Sequence, residues 1–381
     1  MNPKKALALV IGIVVILLLA KMGKNQMWKT WGDSPASPIV LGAVLPITGD
    51  GGFWGEHTRN AITLAVDEVN KQGGVQGKKL EIVIEDSKCD SAIAVSAIRK
   101  LLSVNKVPIV LGDVCSSATL AMAPVAQQAK IVLMTPCSEA AAIKDAGDFI
   151  FRSWAPNDRQ VNVTAQSMNK RGLKKVAILA VNNDFGLSFA ENLAKQFEAS
   201  GGKVAVSEKY EQKDRDMRTQ LLRIKTSGAE AIYLASYIPD GVAAVQQARQ
   251  LGIGLPIYAT SGINSPDFFK PMGPLAEGII FADLRDTTAQ DFRDRYAKTY
   301  GEWPGASSCA GVTYDDVMLF AQAINQVGTD AAKIRDYLSS VKNYPGVSGN
   351  MTFDANGDLD RQHAIFMVKN GQPELINENS F

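Results

Sequence analysis

Histidine is scarce in this chain, whose 381 residues include only His57 and His363. Imidazole is the most common protein metal ligand and a frequent catalytic base, so the scarcity argues against a histidine metal site or a Ser-His-Asp triad. An excess charge of one sign is lacking too, because 40 Lys and Arg face 39 Asp and Glu. The charge balance therefore gives no indication of nucleic acid or an anionic surface as a partner.

Nucleotide-binding signatures are also missing. No Gly-Lys-Ser/Thr phosphate loop occurs at the strand ends, and the turn GDGGFWG (49–55) only approaches the dinucleotide fingerprint. Asp50 or Trp54 falls where that fingerprint needs a glycine. We therefore expect no cofactor and no metal, and the sequence disfavours a hydrolase or a dehydrogenase.

One long apolar run stands at the N-terminus, ALALVIGIVVILLLA from Ala6 to Ala20, preceded by Lys4 and Lys5. Basic residues before an apolar run are typical of an export signal. No small-x-small cleavage site ends the run, and no cysteine directly follows it for lipid modification. We expect residues 1–21 to be a signal that is retained as a membrane anchor, with cleavage left open, and residues 22–38 to be a linker. The protein is then periplasmic and tethered to the inner membrane.

The full chain has the composition of a folded protein, with 46% hydrophobic and 21% charged residues in a length that suits two domains. From Ile39, strand-like runs alternate with helical patterns, and the same order begins again at Lys174. Such repeated βα units predict an α/β fold of two open parallel-sheet lobes, with helices on both faces of each sheet. Further along, we expect helices at 288–300, 313–326 and 330–341. A C-terminal hairpin is marked by the turn dipeptides Asn356-Gly357 and Asn370-Gly371.

The segment from Val107 to Gln128 is the most informative stretch for function. A buried strand leads into Cys115, Ser116, Ser117 and Thr119, just before an Ala-rich helical pattern. Hydroxyls at a helix start either cap the helix or, with its positive dipole end, receive an anionic group. In parallel sheets ligands bind at the carboxyl ends of strands, so both interpretations stay open here.

The redox state of the four cysteines depends on the compartment, and export would bring them into an oxidising one. Cys89 and Cys115 each follow a predicted strand, and strand ends at one sheet edge can bring them together. A disulfide there would contribute roughly 3–4 kcal/mol to stability. We expect Cys137 and Cys309 to stay reduced as small side chains near the cleft, although a second disulfide remains open.

At this point the chain resembles the type I periplasmic binding proteins, and within them the leucine/isoleucine/valine-binding branch that serves ABC importers. The resemblance covers nearly all residues after Ile39. It is carried by AVLPITGDGGFWGE from Ala43, AVDEVNKQGGVQGKKLEIVIED from Ala65, GDVCSSAT from Gly112, VLMTPCS from Val132, FIFRSW from Phe149, NNDFG from Asn182, AEGIIF from Ala276 and TYDDV from Thr313. The family's disulfide corresponds to Cys89 and Cys115.

The resemblance implies two lobes joined by three crossovers, with the ligand in a cleft between them. Lobe 1 is expected at 39–156 plus 285–353, and lobe 2 at 157–284 plus 354–381. Ser116 is expected to hold the ligand carboxylate, helped by backbone N–H groups of the loop after the Thr-Pro pair. The full expected site comprises Trp54, Ser116, Cys137, Ser138, Glu139, Phe185, Tyr237, Ser261 and Cys309.

Two positions depart from the family pattern. Family members that bind aliphatic amino acids place a carboxylate, against the ligand ammonium, at what is here Ser261. They place a threonine or a similar residue at what is here Glu139. Either the acid has moved across the cleft and the charge balance is kept, or the ligand is not an ordinary α-amino acid.

Three functions follow from these features. The resemblance implies a non-enzymatic, monomeric solute-binding protein that delivers an amino acid to an ABC permease in the inner membrane. One alternative is a membrane-anchored sensing module of the same fold. Another is a solute-binding protein whose ligand is a small amide or carboxylate instead of an amino acid. An enzyme on the α/β frame is disfavoured for lack of a base, a metal site and a phosphate loop.

Overall fold

The computed structural model describes residues 37–376. That part of the chain contains fourteen strands and eleven α-helices. The strands are β1 (Ile39–Leu45), β2 (Leu80–Asp86), β3 (Ile109–Gly112), β4 (Val132–Thr135), β5 (Ile150–Arg152), β6 (Lys175–Val181), β7 (Lys203–Tyr210), β8 (Ala231–Ala235), β9 (Ile257–Ala259), β10 (Ile280–Leu284), β11 (Tyr344–Gly346), β12 (Gly349–Met351), β13 (His363–Lys369) and β14 (Gln372–Leu375). The helices are α1 (Gly52–Lys71), α2 (Ser91–Lys100), α3 (Ser116–Ala129), α4 (Asn157–Lys170), α5 (Asp184–Ala199), α6 (Arg218–Thr226), α7 (Ile238–Gln250), α8 (Pro266–Met272), α9 (Gln290–Tyr300), α10 (Ala310–Val327) and α11 (Ala331–Ser340).

Two sheets organise the molecule. The first has the order β2-β1-β3-β4-β5 and is parallel throughout. The second has the order β14-β13-β10-β9-β8-β6-β7, parallel from β10 to β7, with β13 and β14 added antiparallel at one edge. A separate antiparallel ribbon pairs β11 with β12. The α/β prediction is confirmed.

Helix formation follows the hydrophobic pattern of the sequence. In α1, Ala61, Leu64, Ala65 and Val69 recur at helical spacing and are all buried. The helix packs against α10 on one face of the first sheet. In α2 the Asp90 side chain accepts from the backbone N–H groups of Ala92 and Ile93, which satisfies two donors that the first helical turn leaves unpaired.

The chain passes between the two sheets three times. It leaves the first sheet after β5, returns between β10 and α9, and passes again between β12 and β13. The predicted three crossovers are therefore present. The first and third crossovers lie side by side. Arg152 at the first crossover forms a buried bidentate ion pair with Asp358 at the third. The exact lobe boundaries stay predictions.

The structure refines several sequence expectations. Cys89 and Cys115 form a disulfide with their Cα atoms 5.5 Å apart. The strands that precede them are not neighbours, however, because β1 lies between β2 and β3. The bridge passes over the loop that follows β1, and a Cβ atom at Gly51 would lie 3.0 Å from the Cys115 sulfur.

At the C-terminus, the turn at Asn370-Gly371 closes the β13–β14 hairpin, whereas Asn356-Gly357 lies in a turn outside the named strands. The expected anchor and linker, residues 1–21 and 22–38, lie outside the described residues apart from the last two. None of the helices within 37–376 is both long and apolar enough to cross a membrane.

Candidate functional site

A cavity of about 30 Å³ lies between the two lobes. Its lining residues, apart from Ser307 between α9 and α10, come from loops and helix starts that follow the carboxyl ends of strands in both sheets, where parallel sheets bind ligands. They are Trp54, Val114, Cys115, Cys137, Glu139, Trp154, Phe185, Tyr237, Ser261, Gly262 and Ser307. The volume holds about two water molecules, so a larger ligand must enter while the lobes are apart.

Glu139 is the one carboxylate among these lining residues. Its Oε1 accepts from Trp154 Nε1 at 3.2 Å and from Gln160 Nε2 at 3.3 Å. Ser261 Oγ, from the other lobe, lies 3.1 Å from both carboxylate oxygens. Burial raises the pKa of Glu139 to about 8, despite these hydrogen bonds. The two positions that depart from the family pattern are thus in direct contact across the cleft.

The start of α3 faces the same cavity through Val114 and Cys115. Ser116 itself is buried and does not line the cavity. Its Oγ accepts from the backbone N–H groups of Glu139 and Ala140, both at 3.2 Å. These two bonds fix the loop after β4 against the helix start, and one O–H donor remains on the Ser116 hydroxyl.

Ser138 also points away from the cavity. Its Oγ donates to the backbone carbonyl of Asp113 at 3.0 Å and lies 2.8 Å from Thr119 Oγ. Its backbone N–H is directed at Thr135 Oγ, 3.0 Å away. Ser138 therefore holds the loop in shape rather than bordering the space.

Aromatic rings from both lobes form the apolar wall. Trp54 of lobe 1 meets Tyr237 of lobe 2 edge to face, with ring centroids 6.2 Å apart. Tyr237 stacks on Phe185 at 5.0 Å. Trp54 is held by its indole N–H, which donates to the Ser307 carbonyl at 3.0 Å. An apolar ligand group would be enclosed by rings on both sides.

The expectation of reduced Cys137 and Cys309 is wrong. The structure joins them in a disulfide with Cα atoms 5.8 Å apart, within the usual range for such bridges. Cys137 follows β4 and Cys309 precedes α10, so the bridge ties two segments 172 residues apart. Cys137 lines the cavity, whereas Cys309 lies behind it, fully buried.

An ion-pair cluster crosses the cleft beside the cavity. Arg215, from the loop before α6, pairs with Asp50 of the loop after β1 at 2.7 Å. It also pairs with Asp240 of α7 at 2.6 Å. Burial raises the pKa of Asp240 to about 7, and the Arg215 charge partly offsets this. Arg215 therefore links the two lobes in the closed arrangement.

The chain matches the family model described as periplasmic binding protein over residues 38–373. It belongs to the periplasmic binding protein family. The Leucine-, isoleucine-, valine-, threonine-, and alanine-binding protein of Pseudomonas aeruginosa is 28% identical over 331 residues, covering 85% of this chain and 88% of the relative.

Solved structures agree with this membership. A leucine binding protein from Thermotoga maritima matches with a TM-score of 0.82 at 26% identity, over 89% of this chain and 98% of the other. The LivJ substrate binding protein of Streptococcus pneumoniae, solved with isoleucine, gives a TM-score of 0.80 at 26% identity over 89% and 99%. All three relatives are named as binding proteins and not as enzymes, and the Streptococcus protein is named as part of a transporter. The predicted family and fold are confirmed.

Among the predicted site residues of this periplasmic binding protein, six line the cavity: Trp54, Cys137, Glu139, Phe185, Tyr237 and Ser261. Ser116, Ser138 and Cys309 do not. The sequence analysis missed Val114, Trp154, Gly262 and Ser307, and it treated Cys115 only as a disulfide partner. Trp154 and Gly262 each follow a strand, so their positions at strand ends were the available signal. Gln160, which binds both Glu139 and the Ser261 backbone N–H, lies inside α4, where the sequence pattern does not mark it.

Proposed function

We propose that this protein is the extracytoplasmic solute-binding component of an ABC importer and that it captures an aliphatic, branched-chain-like amino acid between its lobes. The observation that carries the proposal is that one cavity borders both a feature suited to an anion and a feature suited to a cation. The start of α3, which borders the cavity through Val114 and Cys115, suits an anion, and the buried Glu139 suits a cation. An α-amino acid has both groups on one carbon.

The ligand carboxylate is assigned to the start of α3. Aligned peptide dipoles give a helix N-terminus a partial positive charge, and its first N–H groups lack partners within the helix. The α5 start abuts this region, because the Asp184 backbone N–H donates to Ser117 Oγ at 3.0 Å. Ser116, the first residue of α3, lies behind the cavity lining in this arrangement, and we assign its remaining O–H as the side-chain donor once the ligand widens the cleft.

The ligand ammonium is assigned to Glu139. An ammonium group enclosed in a closed cleft needs an acceptor, since a buried unpaired charge is costly. Glu139 lies on the lobe opposite to the position at which the resemblance implies an acid, and Ser261 occupies that position. Charge balance across the cleft is thereby kept.

The ligand side chain is assigned to the wall formed by Trp54, Phe185 and Tyr237, with Cys137 beside it. An aromatic and sulfur-lined space suits an aliphatic side chain and has no charge to offer a polar one. The names of the relatives, which bind leucine, isoleucine and valine, support the same assignment.

Delivery requires a membrane partner, and we assign that role to an ABC permease of the inner membrane. The basic residues and apolar run at the N-terminus support export and a periplasmic location, with the run retained as a tether. Membrane fractionation of cells expressing the full chain checks the tether. If the run is retained, the protein should sediment with the membranes and stay there through a high-salt wash.

Thermal-shift screening of the purified full chain tests the proposed ligand class. The probes are L-leucine, L-isoleucine and L-valine, with two leucine analogues: 4-methylpentanoate, which lacks the ammonium group, and 4-methylpentanamide, which lacks both charged groups. We expect the largest rise in melting temperature with an intact amino acid. A larger rise with the carboxylate or the amide would contradict the proposal and favour a ligand without an ammonium group.

A further inference from the structure

Within residues 37–376, the immediate surroundings of Glu139 give its ionised form little stabilisation. Its hydrogen-bond donors, Trp154, Gln160 and Ser261, are all neutral. Within residues 37–376, its carboxylate has no ion pair with a lysine, arginine or histidine. The side chain is only 5% exposed. An ionised carboxylate in this setting loses its hydration, and only neutral donors compensate for that loss.

Arg152 on β5 is the cation whose charge reaches Glu139, and it is already engaged. Its Nε and Nη2 donate to the two carboxylate oxygens of Asp358 at 2.8 and 2.6 Å. Its Nη1 donates to the Ala140 carbonyl at 2.9 Å. Three of its five N–H donors are thus engaged at the crossover, and its charge is the smallest of the effects that shift the pKa of Glu139.

The other titratable groups that act on Glu139 oppose its ionisation or interact weakly. Asp283 on β10 raises the pKa of Glu139 by charge repulsion, and burial, the larger cause, raises that pKa to about 8. Tyr233 on β8 is buried nearby, and burial and the Glu139 charge keep its own pKa far above its ordinary value. Asp283 receives a hydrogen bond from Asn264 at 2.6 Å and does not line the cavity.

We propose that Glu139 carries its proton before ligand capture and releases it to solvent when the ammonium group of an amino acid takes its place. The inference rests on the proposed function. In the step, the carboxyl O–H bond breaks and its electron pair stays on the carboxylate. The proton passes to water, and the ligand ammonium keeps its three hydrogens. Capture is thus coupled to the loss of one proton, and the site selects ligands that bring a positive charge.

Calorimetric titration of the full chain with L-leucine at pH 7, in phosphate and in Tris, measures this proton directly. The two buffers differ in ionisation enthalpy, so the difference in heat counts the protons released. We expect close to one proton per leucine. We also expect the dissociation constant to rise about tenfold from pH 7 to pH 6, the linkage slope for one proton. Leucine binding with no proton release and a pH-independent dissociation constant would overturn the inference.

Two variants assign the proton. Glu139→Gln should abolish the release, and if it binds leucine too weakly for calorimetry, the pH series of the parent protein decides. Asp315→Asn is the matched control, because Asp315 is a buried carboxyl on α10 that neither lines the cavity nor acts on the pKa of Glu139, and it should retain the release. Loss of the release in Asp315→Asn, or its persistence in Glu139→Gln, would overturn the assignment. If leucine, isoleucine and valine all fail to bind the parent protein, the proposed function itself fails, an outcome distinct from binding without proton release.

Discussion

At the scale of single residues, the two departures from the family pattern were visible in the sequence, but their contact was not. Glu139 and Ser261 are 122 residues apart, and the hydrogen bond between them crosses the cleft. The polar residues that orient Glu139 were missed for a physical reason. A tryptophan after a strand and a glutamine inside a helix are common in cores, so neither stands out without the fold.

Replacing Glu139 tests the assigned ammonium acceptor. Glu139→Gln keeps the shape of the side chain and one acceptor oxygen, but it replaces the other oxygen with an N–H donor and cannot become negatively charged. We expect leucine affinity to fall at least tenfold, about 1.4 kcal/mol, and the melting temperature of the ligand-free protein to hold or rise. Adding Ser261→Glu should restore part of the affinity by placing the acid on the other lobe. Parent-like affinity in Glu139→Gln would remove this residue from the site.

Replacing Ser116 tests the assigned anion site. Ser116→Ala removes the O–H donor and leaves the backbone N–H groups of Glu139 and Ala140 without their acceptor. We expect affinity for carboxylate-bearing ligands to weaken by roughly 1.5–3 kcal/mol, with a lower melting temperature because buried donors lose a partner. Ser96→Ala, an exposed helix serine, is the control. Unchanged calorimetric affinity in Ser116→Ala would show that the ligand does not use this hydroxyl.

At the scale of elements, the order of strands and helices followed from the sequence because periodicity and Gly-rich turns are local signals. The helices observed at 290–300, 310–327 and 331–340 lie within a few residues of their predicted bounds. Strand order and long-range pairing are not local. The insertion of β1 between β2 and β3 and the Cys137–Cys309 bridge both depend on how the sheet closes, and spacing along the chain does not reveal them.

The ion pairs of Arg215 connect loops and a helix of the two lobes, and they should affect the rate of ligand dissociation. Arg215 is 39% exposed, and partly exposed ion pairs contribute about 1 kcal/mol or less. Arg215→Gln should therefore speed ligand dissociation only a few-fold, because it weakens the closed arrangement without touching the cavity. Arg223→Gln removes an ion pair to Glu208 within lobe 2 and should leave the rate unchanged. Equal stopped-flow dissociation rates for the two variants would contradict a role for Arg215 in closure.

At the scale of the whole molecule, several carboxyl groups are buried with raised pKa values. Burial raises the pKa of Glu139 to about 8 and the pKa values of Asp113, Asp240 and Asp283 to about 7. In the unfolded chain these groups titrate near pH 4. Between pH 4 and the raised pKa values of the folded state, the folded state therefore binds more protons than the unfolded chain. The free energy of unfolding must then fall as pH rises through this window.

The ligand-free protein should accordingly lose melting temperature when pH is raised from 6.5 to 8. His363 acts in the opposite sense, because burial lowers its pKa to about 4, but its effect lies below its ordinary value of 6.5. Glu139→Gln should show a shallower loss than the parent protein. A flat or rising melting temperature over this range would show that these carboxyl groups are ionised in the fold.

The central claim is that the cleft binds an amino acid with its carboxylate at the start of α3 and its ammonium at Glu139. A crystal structure of the protein with L-leucine tests this most directly. The account predicts the ligand nitrogen at hydrogen-bonding distance from the Glu139 carboxylate, about 2.7–3.2 Å, with the ligand carboxylate at the Ser116 end and the side chain between Trp54 and Tyr237. A ligand nitrogen bound away from Glu139, or a ligand carboxylate beside it, would contradict the account.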